Sequence, residues 1–146
     1  MLHTLISNSN SKISEGEFRF DQLKKHFDEL NIEYAFGSED VTGVIKKIKY
    51  DSTTNTFNGF PTLLDRGIPI AKHYQTDSFD TLKIWFNSIE KASLLNVHMI
   101  QPVQASNKST IPTPFLLSAY GIDNTTTASH ILQRWWYIFN QCLQKM

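Results

Sequence analysis

Two adjacent acids, Glu39 and Asp40, are the residues whose type and placement come closest to chemistry. They follow the apolar segment Tyr34-Ala35-Phe36 through Gly37-Ser38. A carboxylate at a strand end can hold a Mg²⁺ that activates water or a phosphate oxygen. Two-metal phosphoryl chemistry needs carboxylates converging from several elements, so one such residue is not a site by itself. The same pair also reads as an ordinary turn or cap. Asp51 and Asp123 stand in turn-rich sequence and read as turn acids.

Other catalytic signatures are missing from the sequence. It has no Gly-rich phosphate loop, no nucleophile elbow and no Cys-x-x-Cys, and His3, His26, His73, His98 and His130 lack metal-ligand spacing. The histidines therefore read as structural or surface residues. Trp135-Trp136 and the aromatics of the second helical segment could stack bases, but their helical spacing favours core packing. The one cysteine, Cys142, makes neither an internal disulfide nor a Cys-rich zinc site and fits a reducing compartment.

The elements that must position these residues follow from periodicity. Residues 1–13 are mostly polar after a short apolar start and read as a disordered N-terminus. Ser14-Glu15-Gly16-Glu17 has capping-box spacing and predicts a helix over 14–31, with Phe20, Leu23, Phe27 and Leu30 on one face. Residues 32–36, 44–50 and 56–60 read as strands, the last two returning on each other through the turn-rich Asp51–Asn55 segment. Pro61, Gly67 and Pro69 mark a loop. A second helix is predicted from Ser78 to about Ser93, with Phe79, Leu82, Trp85, Phe86 and Ile89 inward. Strands at 97–103 and 115–120 follow, the second nearly continuous in apolar residues as in a doubly buried strand. Thr125–Thr127 cap a last helix whose stripe is Ile131, Leu132, Trp135, Ile138, Phe139, Cys142 and Leu143. Helix, strands, helix, two strands and helix make a mixed α/β chain.

Composition bounds the function. The 146 residues carry 14 Lys+Arg and 14 Asp+Glu, a formal charge of zero, with 40% hydrophobic residues. That supports a packed domain and argues against a free-standing basic nucleic-acid binder. No signal peptide or run of membrane-spanning length is present, so the sequence reads as soluble, intracellular and not secreted.

The segment from Ser38-Glu39-Asp40 through Lys46-Lys47-Ile48-Lys49-Tyr50-Asp51-Ser52 to Gly59-Phe60 resembles proteins encoded by animal DNA transposons. Their layout is an acid, about ten residues, Tyr-Asp-Ser, a short turn and Gly-Phe. Val97–Val103, Phe115–Asn124 and Leu132–Ile138 are similar too, so the resemblance covers roughly residues 30–146. More distantly, the layout is similar to P-element-type transposases, whose core is a ribonuclease-H-like fold with three acids holding two divalent metals.

That resemblance implies a partial ribonuclease-H-like core over 32–146, a mixed sheet with flanking helices, and Asp40 as the match to the first acid. It implies Mg²⁺ or Mn²⁺ as cofactor of a complete core, DNA as its partner, and strand cleavage or joining as its reaction. The helix 127–145 would precede a strand ending in the second acid, and the sequence stops at Met146 before it. With two of three acids missing, the expectation is an incomplete core, inactive alone. The alternative is a non-catalytic interaction module, associating with itself or with a partner chain at an open sheet edge.

Overall fold

The structure, a computed structural model, describes residues 13–103 and 109–146. The N-terminal stretch expected to be disordered lies outside the described residues except for Ile13. The described residues are mixed α/β, built on a three-stranded antiparallel sheet and three helices. The sheet order is β1 (Tyr34–Gly43), β6 (Leu94–Val103), β7 (Phe115–Ile122), so β1 is an edge strand and β6 is central. Helices α1 (Phe20–Leu30) and α3 (Ala128–Lys145) cover one face.

Strands β6 and β7 form where the sequence supplies apolar and β-branched residues that are largely buried, whereas β1 is mostly exposed. Within β7, Phe115, Leu117, Ser118, Tyr120, Gly121 and Ile122 are all buried, which matches its nearly continuous apolar run. A register irregularity between His98 and Met99 of β6 lets Leu117 and Ser118, neighbours in sequence, both be fully buried. The main core is Phe20, Leu23, Ile100, Phe115, Leu117 and Ile138, drawn from two helices and two strands. On the outer edge of β7, Gly16 and Arg19 donate backbone N–H bonds to Ala119 and Leu117 at 3.1 and 3.0 Å.

That strap explains why α1 begins at Phe20 rather than at Ser14. The capping box expected of Ser14 and Glu17 does not start the helix, whose N-cap is Arg19; the Glu15 carboxylate accepts the Gly121 backbone N–H at 2.7 Å, and residues 14–19 run along the sheet edge. Burial pushes its pKa up, and the bonds it accepts from Gly121, Gly59 and Thr62 act against that rise.

Between β1 and β6 the chain makes the β2 (Lys49–Asp51)/β3 (Thr56–Asn58) hairpin, the β4 (Leu64–Asp65)/β5 (Ile68–Pro69) hairpin, and α2 (Phe79–Ser88). The loop expected from Pro61 to Pro69 thus contains a tight hairpin. Its turn residues, Arg66 and Gly67, have φ of 49° and 80°, the left-handed geometry that matches a two-residue turn to strand twist. Ser78 caps α2, its hydroxyl accepting from Thr81 N–H at 3.3 Å, and the helix ends at Ser88 rather than near Ser93. The helix buries none of its residues fully, however, and Phe79 and Phe86, expected inward, are exposed. Phe57, Phe60, Tyr74, Trp85 and Phe86 form a second, aromatic cluster. No helix among the described residues is long and apolar enough to cross a membrane.

Candidate functional site

Glu39 and Asp40 lie inside β1, not after it, because the ladder with β6 runs unbroken from Tyr34 opposite Val103 to Gly43 opposite Leu94. Successive strand residues point to opposite faces, so the two acids are separated by the pleat. Glu39 faces the helices and stands opposite His98; Asp40 faces away, opposite Val97, and is exposed.

Glu39 is the anchor of a polar cluster built by four elements. Its carboxylate accepts from Asn96 Nδ2 at 2.7 Å and from Trp135 Nε1 at 2.9 Å, and pairs with Arg134 Nη2. Arg134 is fully buried on the sheet-facing side of α3 and also donates through Nη1 to the Gly67 carbonyl at 2.7 Å. His98 Nε2 is 3.6 Å from Glu39 Oε1, ion-pair range but longer than a hydrogen bond, and the ring stacks on Tyr120. Asn96 reaches the Tyr120 hydroxyl at 3.2 Å. Burial acts to raise the pKa of Glu39, but the His98 imidazole, the Asn96 amide and the Arg134 charge outweigh it and hold the carboxyl at about 2. Burial pushes the Tyr120 hydroxyl upward, so it stays neutral beside the acid.

Two glycines let this cluster close. At Gly37 an added Cβ would stand 2.7 Å from the Trp135 ring, so only glycine admits the indole over β1. At Gly67, with positive φ, an added Cβ would stand 2.1 Å from the His130 carbonyl, so the hairpin meets the start of α3 through bare backbone. The helix is capped there by Thr127, whose hydroxyl accepts from His130 N–H at 3.3 Å.

Chemically, the arrangement makes Glu39 a structural clamp. Both its oxygens already accept hydrogen bonds, and withdrawing it to bind a cation would strand the buried Arg134 charge. Asp40 is free of that clamp and reachable from solvent, but no group of three or more His, Cys, Asp or Glu able to hold a metal occurs among the described residues. Asp51 instead accepts the Thr53 backbone N–H at 2.9 Å and Asp123 that of Thr125 at 3.1 Å, both turn roles. Of the tryptophans expected in the core, Trp135 is half-buried over Gly37, whereas Trp136 is 71% exposed.

Sequence reasoning missed Arg134, Asn96 and His98 as the partners of an acid. The signal was present: Asn96 and His98 are polar residues at two-residue spacing in an apolar strand, and Arg134 interrupts an apolar helical stripe one turn before Ile138. Comparison with known protein families, with curated proteins and with solved structures finds no match.

Proposed function

We propose that residues 32–146 are the sheet-and-helix portion of a ribonuclease-H-like transposase core, in which Asp40 supplies one carboxylate toward Mg²⁺ or Mn²⁺. The observation that carries this reading is the topology around β1: an acid-bearing edge strand, two further antiparallel strands, then a long helix. The end of α3 comes back beside the start of β1, where Met146 and Ala35 line one apolar cavity. β7 and β1 run in the same direction, since each is antiparallel to β6. A strand following α3 by the usual right-handed crossover would lie parallel to β1 on its free edge. A carboxylate at the end of that strand would come toward the Asp40 side of the sheet.

A lone carboxylate does not clamp two metals, so the chain as it stands does not cut DNA. In a completed core the reaction would be DNA strand cleavage or joining, carried out in the nucleus. The test is Mn²⁺-dependent cleavage of labelled DNA by residues 1–146 and by the protein encoded by the full transcript. Cleavage by the latter that is lost in Asp40→Asn and kept in Asp65→Asn, with none from residues 1–146, is the expected result. Cleavage by residues 1–146, or cleavage indifferent to Asp40→Asn, contradicts the proposal.

The exposed edge of β1, with Tyr34 and Phe36 more than two-thirds exposed, favours a second reading as a non-catalytic interaction module. That reading leaves Asp40 without a role, and the same Asp40→Asn comparison separates the two.

A further inference from the structure

Helix α3 has two apolar faces, and the fold uses only one. Arg134 and Ile138 face the sheet and are buried. On the other side Leu132, Trp136, Phe139, Leu143 and Met146 are exposed by 71, 71, 58, 82 and 49%. Their spacing is four, three, four and three residues, a strict 3.5-residue repeat over two heptads.

We propose that this face is a self-association surface, on which the five residues pack against the same five of a second copy of the chain. Three features of the stripe select that occupant. A 3.5-residue repeat keeps a seam facing another helix along its length, which neither a flat surface nor a small ligand requires. The positions beside the seam are Gln133 and Asn140 on one side and Trp135 and Cys142 on the other. None is charged, so two identical helices meet without the like-charge repulsion that sets partner choice at such positions. The basic residues of the helix itself are committed, Arg134 to Glu39 and Lys145 to Asp21 at 2.6 Å, and Arg66 stands off the helix beside the seam.

The area is also sufficient. With large apolar side chains carrying about 150–250 Å² each, the exposed fractions leave on the order of 500 Å² per copy, or roughly 1,000 Å² per pair, where specific interfaces begin. Beside Leu132 and Trp136 the seam opens into a groove of about 750 Å³ floored by Arg66 and Ile68 of the β4/β5 hairpin. Bulky side chains of the second copy have room there.

This inference does not depend on the transposase reading, because it uses neither Asp40 nor its chemistry; Phe139 and Met146, at one margin of the stripe, also border the cavity beside Ala35. Sedimentation velocity of residues 1–146 over a concentration series tests it. The expected result is a reversible dimer that Leu143→Glu weakens by about 100-fold or more, with far-UV circular dichroism unchanged. If Leu143→Glu loses helix content, Leu132→Glu at the other end of the seam serves instead, its position being equally solvent-facing. Phe36→Glu on β1 should leave the dimer intact. A monomer up to the solubility limit, or a dimer broken by Phe36→Glu and not by the α3 variants, overturns the proposal.

Discussion

Replacing Glu39 by glutamine keeps the shape of the side chain and removes the one anion among the described residues that pairs with the buried Arg134 guanidinium. Two routes give the size of the effect. Lowering the acid from an ordinary 4.5 to about 2, at about 1.4 kcal/mol per tenfold change, corresponds to on the order of 3 kcal/mol. Breaking a buried ion pair from one side costs about 3–5 kcal/mol, because a charge is left uncompensated. Glu39 is charged more readily folded than unfolded, so its contribution is complete above the unfolded value and disappears as pH falls from about 5 toward 2. Urea melts of wild type and Glu39→Gln across pH 2–7 should therefore differ by roughly 3 kcal/mol at pH 7 and converge at the acid end. Adding Arg134→Met to Glu39→Gln should recover at least about 1 kcal/mol relative to the sum of the two single changes. Parallel pH profiles, or strictly additive single changes, would refute the clamp.

Asp40→Asn, one residue away, should alter stability by less than about 0.5 kcal/mol, since the side chain is exposed on the other face; a loss comparable to Glu39→Gln would mean that the pleat assigns the two acids wrongly. Trp135→Phe removes the indole N–H that Glu39 accepts and should cost about 1.5–3 kcal/mol in chemical denaturation, with an unchanged midpoint placing that bond outside the folded state's energetics. Gly67→Ala forces a Cβ onto the His130 carbonyl at a left-handed position, and should cost more than about 2 kcal/mol and lower the Tm by roughly 5 °C or more. A melting curve like that of wild type would show that the hairpin can draw back from α3 freely.

The elements were legible where a single period dominates. The 3.6-residue stripe and threonine cap of α3, the return of 56–58 on 49–51 and the doubly buried β7 all follow from local sequence, whereas residues 44–48, also expected in that strand, form none. What was not legible depends on partners distant in sequence. The extension of β1 through Gly37-Ser38-Glu39-Asp40 is imposed by the ladder with residues 94–103, which no local propensity announces. The late start of α1 follows from the hold that β7 has on Gly16 and Arg19.

For α2 and α3, periodicity identified the apolar residues but not which side of the helix finds a neighbour. That is how Phe79, Phe86, Leu132 and Leu143 were assigned inward and are exposed. The candidate acids were visible as a pair, yet their division into a buried clamp and a solvent-facing carboxylate rests on the pleat. It rests equally on Arg134, 95 residues away from Glu39 in the chain.

The most direct measurement of the proposed function is long-read sequencing of the transcript through and beyond the codon for Met146. A frame that continues into an apolar strand ending in Asp is the expected result, since such a strand would pair with the free edge of β1 and bring a second carboxylate toward Asp40. A stop codon directly after Met146 in the mature message would contradict a completed catalytic core and leave a remnant or a co-opted interaction module in its place.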